Sequence, residues 1–299
     1  MHYSDMVYRP PYEADSVLLQ VTTGCSHNKC TFCTMYRDVN FRISPMNEIE
    51  EDLEEVRTYR PSADRVFLES GDAFALSADR LLAIGEKIHN ALPRVSMITG
   101  YATIMNVASK TDEELRALAA AGFGEINIGL ESGLDEVLSF MNKGYSLDFA
   151  RRQLTRLKEA GMPFSLNIIN AAAGPEKIEQ HAAANAAICN EMQPYLIFIS
   201  PLHVDPGSDL EKIAEAGGFR ESTLGQYISE EIEFLEQLEM EDTVFFGIHV
   251  SNPIKVLGQL PGEKDRLLKE LKTGMHRLSE SWLNAHPTKG PEGRLYAFV

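Results

Sequence analysis

The chain has 299 residues, with 28 Lys and Arg against 44 Asp and Glu, and a formal charge of −16. Hydrophobic residues make up 44% and charged residues 24%, the proportions of a globular protein. Such acidity speaks against broad wrapping of nucleic acid, which needs a basic footprint, though it leaves room for a small basic pocket. Four cysteines are too few for a disulfide scaffold in a chain this long.

Met1 to Asp5 carries no basic region leading into an apolar run, so no secretory signal is expected. No stretch reaches the roughly 18 apolar residues that span a membrane. The expected compartment is the reducing cytoplasm, where clustered cysteines signal metal or redox chemistry. Ser16 to Val21 reads as a first strand. A cysteine-rich loop follows. Ser44-Pro45 then opens a helix, with the serine as N-cap and the proline in the first turn. Ile49, Leu53 and Val56 repeat at helical spacing along it.

Arg65 to Glu69 is a second strand, Ala78 to Asn90 a helix and Val95 to Tyr101 a third strand. Thr111 to Glu114 forms a capping box, and its helix stops at Gly122. Glu125 to Glu131 is a fourth strand, followed by helical stretches at 134–142 and 147–160. Phe164 to Ile169 is a fifth strand. Pro175 starts a helix that runs to about Glu191, and Tyr195 to Ser200 is a sixth strand. Strands alternating with helices imply a parallel sheet, and this many βα units in one run favour a barrel or partial barrel.

Beyond Pro201 the pattern loosens. His203 to Gly207 is a loop and Leu224 to Leu238 a helix. Thr243 to Val250 is a strand, and Leu260 to Leu271 contains helix ahead of a Gly- and Pro-rich tail. The chain thus divides into a barrel domain, 1–205, and a C-terminal α/β extension, 206–299, expected to close the barrel on the substrate side.

Three of the four cysteines, Cys25, Cys30 and Cys33, fall within nine residues directly after the first strand. Barrels place their active sites at that end of the strands. Three thiolates on one loop can hold three irons of a cubane cluster and leave the fourth open. A zinc site completed by His27 is the alternative, in a non-catalytic zinc- or iron–sulfur-binding module. Zinc ligands, however, normally come in two separated pairs. Cys189 lies in a helical stretch and reads as a small core residue. No further cysteine group follows for an auxiliary cluster.

The loop resembles that of the radical SAM superfamily. The family spacing is CxxxCxxC with an aromatic residue before the last cysteine. Here it is CxxxxCxxC, one residue longer, with Phe32 before Cys33. The resemblance spans about residues 15–205. It implies a partial (β/α)6 barrel, a [4Fe-4S] cluster and S-adenosyl-L-methionine (SAM) chelated by the open iron. Reductive cleavage of SAM would then yield a 5′-deoxyadenosyl radical.

Glu69-Ser-Gly71-Asp72-Ala looks like the segment that holds the amino group of SAM, where a glycine lets backbone approach a ligand. Ile128-Gly-Leu-Glu131-Ser-Gly and the stretch on to Gly144 are similar to a segment of the oxygen-independent coproporphyrinogen oxidase-like and methylthiotransferase-like branches. The resemblance implies that Glu131 contacts the ribose or amino-acid end of SAM and that Lys143 stands where relatives carry a basic residue near the carboxylate. A carboxylate favoured at a helix N-terminus is the structural alternative for Glu131, but it does not account for the whole segment. Asn167, inside the fifth strand, corresponds to a polar group on the ribose; a buried amide with structural partners is the equal alternative. Ala171 to Pro175 resembles the turn beside adenine.

On the substrate side, His249 after a late strand is the first candidate to orient a substrate or move a proton. Tyr101 and His203 are weaker ones. A small-molecule substrate is expected rather than nucleic acid or peptide. Between Cys25 and Arg42, Lys29, Arg37 and Arg42 face Asp38 alone. That basic rim suits an acidic flavodoxin or ferredoxin as electron donor.

Overall fold

The computed structural model describes residues 1–4 and 6–287. The Gly- and Pro-rich tail, 288–299, lies outside them. Two compact units interleave along the chain. One comprises Met1–Asn28, Met35–Gly129 and Arg152–Ser165; the other comprises Lys29–Thr34, Leu130–Arg151 and the residues from Leu166 onward.

The first unit begins with β1 (Val17–Gln20), the short paired strands β2 (Thr22–Thr23) and β3 (Arg42–Ile43), and α1 (Met46–Tyr59). It continues through β4 (Arg65–Glu69), α2 (Ala78–Ala91), β5 (Met97–Ala102), α3 (Ile104–Ala108) and α4 (Asp112–Ala120) to the first part of β6 (Ile126–Glu131). The strands run in the order β1–β4–β5–β6, all parallel, in registers such as Val17 opposite Val66 and Tyr101 opposite Asn127. Leu19, Val66, Phe67 and Ile98 are fully buried, as strands of a covered parallel sheet must be. Ile49, Leu53 and Val56 form the buried stripe of α1, which packs on β1 and α2.

The second unit takes the end of β6, then α5 (Asp135–Phe140) and the start of α6 (Leu147–Glu159). After β7 (Phe164–Asn170) come α7 (Ile178–Met192), β8 (Leu196–Pro201), α8 (Asp209–Glu215) and α9 (Leu224–Gln237). The last elements are β9 (Thr243–Gly247), β10 (Val256–Leu260), α10 (Lys264–Arg277) and α11 (Glu280–Leu283). β8 pairs parallel with β9, and β10 antiparallel with β9. Helix α9 packs against both α7 and α10.

Several details differ from the sequence reading. Ser44 does not cap α1: Pro45 occupies the cap position in extended conformation, and no side chain closes the turn. Helix α7 starts at Ile178 rather than Pro175, because Lys177 N–H bonds the Gly174 carbonyl in a preceding turn. The strand expected to reach Val250 ends at Gly247, and the strand expected over Val95 to Tyr101 runs from Met97 to Ala102, with Tyr101 inside it. Strand β10 is an element that the sequence pattern does not predict. Its alternating burial is that of a half-exposed antiparallel edge. The Thr111 capping box is present. Among the described residues, no helix is long and apolar enough to cross a membrane.

Candidate functional site

In the first unit, Cys25 sits in a loop pinned by the turn that follows β4. The Ser70 hydroxyl and the Gly71 N–H both donate to the Gly24 carbonyl, at 2.8 and 3.0 Å. Gly71 has no room for a side chain. A Cβ there would lie 2.8 Å from both the Cys25 Cβ and the Gly24 oxygen. Asp72 accepts from the Ser26 N–H at 2.9 Å, from the Ser26 hydroxyl and from the Asn106 amide at 3.5 Å. Burial pushes its carboxyl pKa up, and the Ser26 bonds oppose that shift. Gly71 and Asp72, expected on a cofactor, therefore also build the seat of Cys25. Tyr101 lies edge-on to Phe67, with ring centroids 5.3 Å apart.

In the second unit, Cys30 and Cys33 close a turn through Cys33 N–H to Cys30 oxygen, 3.3 Å. The end of α5 holds this turn: Thr31 N–H donates to Met141 oxygen and Thr31 Oγ1 to Phe140 oxygen, both at 3.1 Å. From the other side, Leu210 N–H donates to the Thr31 carbonyl at 2.9 Å. Phe32 packs against the core of Val137, Met141, Ile169 and Leu202. An aromatic residue before Cys33 thus anchors the loop.

Beside Cys30 stands a buried ion pair, Lys143 Nζ to Glu131 Oε1 at 2.9 Å. Burial opposes the lysine's charge, but Glu131, Tyr145 and Cys30 outweigh it and raise the lysine pKa well above the usual value. Burial pushes the Cys30 thiol up, while Lys143 pulls it back toward thiolate. Glu131 adopts φ +73°, the left-handed region that costs a non-glycine residue strain. A charged pair sequestered from water beside a metal-type thiol is costly for stability alone.

Asn167 Oδ1, on β7, is buried with no hydrogen-bond partner among the described residues. His249 follows β9. Its Nδ1 is met by the Ser251 hydroxyl and, at 3.3 Å, by the Ser251 N–H. Burial, His203 and Lys255 lower its pKa to about 4, so the ring is neutral at pH 7. Both ring nitrogens of His203 are buried without a hydrogen bond. Cys189 is buried in α7, as a core residue should be.

Cys25, Cys30 and Cys33 are partly exposed, and Cys189 is buried. Reduced, accessible thiols are the donor set of an iron–sulfur cluster. The orphaned Asn167 oxygen is the kind of acceptor a ribose hydroxyl satisfies. The residues present therefore fit both groups. Among the described residues, no three His, Cys, Asp or Glu side chains are grouped as ligands of a single ion.

Four residues escaped the sequence reading. Ser132, His181, Asn185 and Glu230 form a buried polar network in the second unit. The signal was His181 and Asn185, four apart and hence on one face, inside an alanine-rich helix.

A family model described as the radical SAM superfamily matches residues 19–184. A protein named as a methylthiotransferase from Methanocaldococcus jannaschii is 26% identical over 151 residues, 49% of this chain and 33% of that protein. Methylornithine synthase shares the fold at TM-score 0.53 and 16% identity, covering 75% of this chain and 63% of that one. Coproporphyrinogen III oxidase from Escherichia coli does so at 0.52 and 16%, covering 74% and 52%. The methyltransferase TsrM from Kitasatospora setae does so at 0.52 and 19%, covering 69% and 41%. The chain thus spans about a third of the curated relative and less than two thirds of each of these structures. These likenesses bear out the α/β, partial-barrel fold class expected from the sequence. With the family model matched over more than half its length, the chain belongs to the radical SAM superfamily, whose enzymes work with a [4Fe-4S] cluster and SAM.

Proposed function

We propose that the chain is an enzyme that cleaves SAM reductively and turns the resulting radical on a small molecule. Reduction of SAM at a [4Fe-4S] cluster supplies a 5′-deoxyadenosyl radical able to take hydrogen from an unactivated carbon. The observation that carries the reading is the buried Lys143–Glu131 pair beside the Cys30 thiol. It joins the cysteine loop to the charged residues that a zwitterionic cofactor needs.

In this proposal Cys25, Cys30 and Cys33 hold the cluster, and Lys143 favours the thiolate of Cys30. Glu131 and Lys143 bind the ribose or amino-acid end of SAM, and Asn167 accepts from the ribose. Phe32, Gly71 and Asp72 fix the loop against displacement. His249, neutral at pH 7, orients the substrate or moves a proton; Tyr101 is the weaker candidate for that task. A flavodoxin or ferredoxin delivers the electron at the basic segment. The relatives are named for different reactions, so likeness of fold does not choose the substrate.

Anaerobic reconstitution should give a brown protein with about four irons per chain. SAM with dithionite should then yield 5′-deoxyadenosine. Replacing Cys25, Cys30 and Cys33 together by Ala should abolish cluster and cleavage at once. A colourless protein holding one zinc, or a cluster protein that retains SAM uncleaved under reduction, would overturn the proposal.

A further inference from the structure

The turn that carries Glu131 is held by a buried hydrogen-bond chain that reaches across three elements. Leu134 N–H donates to Ser132 Oγ at 3.1 Å. Ser132 Oγ meets His181 Nε2 at 2.9 Å, and His181 Nδ1 meets Glu230 Oε1 at 2.7 Å. The same Glu230 oxygen accepts from the Ala171 N–H at 2.8 Å. One proton assignment satisfies every link. The serine hydroxyl donates to Nε2, and Nδ1–H donates to the carboxylate. Ser132, His181 and Glu230 are essentially inaccessible to solvent. Their arrangement resembles a nucleophile–base–acid triad, but no substrate can reach the hydroxyl.

What the chain grips is specific. Glu131 at φ +73° ends β6, and Ala171 at φ +58° follows β7. Both are non-glycine residues in the left-handed region, which persists only where surroundings over-determine it. Ser132 and Glu230 fasten the residue next to the first and the residue itself at the second. Gly133 N–H donates to Asn185 Oδ1 at 2.6 Å, and a Cβ on Gly133 would overlap the Ala184 carbonyl of α7. Helix α7 is thus seated directly on the turn. Helix α9, through Glu230, locks the next strand end against the same histidine.

We propose that Ser132, His181 and Glu230 are positioning residues that set the two strained strand ends, and with them Glu131, in the conformation that binds SAM. The proposal rests on the SAM-binding role given above to Glu131. It assigns to α9, in the segment beyond residue 205, a part in cofactor binding.

The test measures SAM binding to the anaerobically reconstituted, oxidised protein by equilibrium dialysis, together with iron content and melting temperature. His181→Phe and Glu230→Leu should each raise the dissociation constant about tenfold or more, and Ser132→Ala about threefold. Glu230→Gln keeps both acceptor contacts and should stay within about twofold of the parent. Iron should remain near four per chain and the number of SAM sites near one in the folded fraction. A role in folding alone would lower the number of sites and the melting temperature but leave the dissociation constant unchanged. An unchanged constant in Ser132→Ala, the mildest variant, and in whichever of the others folds would overturn the proposal. Failure of the unaltered protein to bind SAM would instead strike the functional reading itself.

Discussion

Gly71 shows why the loop must have its sequence. Any side chain there would intrude on Cys25 at 2.8 Å and on the Tyr36 ring at 2.9 Å. Gly71→Ala should therefore lower reconstituted iron well below four per chain while circular dichroism stays near that of the parent. Full iron loading would show that the loop yields without cost. Glu231, one residue from Glu230, offers a second test. It is fully buried on α9, and burial alone pushes its carboxyl up to about 8. The unfolded chain releases that proton near its ordinary value of 4.5, and the folded chain holds it to about 8. Its contribution is therefore fully present below pH 4.5 and is lost as pH rises toward 8. Replacing Glu231 by Gln should flatten the melting temperature across that window. An unaltered pH slope would mean the carboxylate is already solvated. The three loop cysteines were legible because their spacing is local. The Lys143–Glu131 contact and the chain from Ser132 to Glu230 were not, because each depends on where strand ends and helices meet in space.

Helix ends separate what sequence signals can and cannot convey. At Thr111 the side chain accepts from Glu114 N–H, and Glu114 returns a bond to Thr111 N–H at 2.7 Å. At Ser44 an equally good cap residue is overridden. Its backbone N–H goes to the Val21 carbonyl, its own carbonyl accepts from Arg80, and its hydroxyl is left buried and unbonded. Thr111→Ala should cost about 1 kcal/mol, the usual worth of a cap. Ser44→Ala should change stability by less than about 0.5 kcal/mol or raise it slightly, since it removes an unsatisfied hydroxyl. Urea denaturation of both variants decides the matter, and equal losses would restore Ser44 as a cap. The same logic explains the elements. Covered parallel strands such as β4 announce themselves as unbroken apolar runs, and Arg65–Glu69 was located to the residue. Strand β10 shows only Val256, Gly258 and Leu260 toward the interior, too short and glycine-weakened a pattern to read.

At the scale of the whole molecule, the charge of −16 sets a problem for electron delivery. Flavodoxins and ferredoxins of the kind expected from the sequence are acidic, so the long-range field repels them. The docking proposed above would then rely on a local surplus of positive charge within a screening length of the contact, about 8 Å at physiological salt. Arg37 and the exposed Arg42 are the cations nearest in sequence to the cysteine loop in the first unit. Reversing both, Arg37→Glu with Arg42→Glu, should slow reduction by an acidic flavodoxin about tenfold at low salt, since charge complementarity acts mainly on the association rate. The gap between variant and parent should close as salt approaches 0.5 M, where screening shortens to roughly 4 Å. Reduction by dithionite, a small ion that needs no docking surface, should stay within about twofold. Stopped-flow measurement of cluster bleaching reads all three. Equal rates with flavodoxin at low salt would place the docking surface elsewhere, and an equal slowing with dithionite would mean that the reversal had altered the cluster rather than the approach to it.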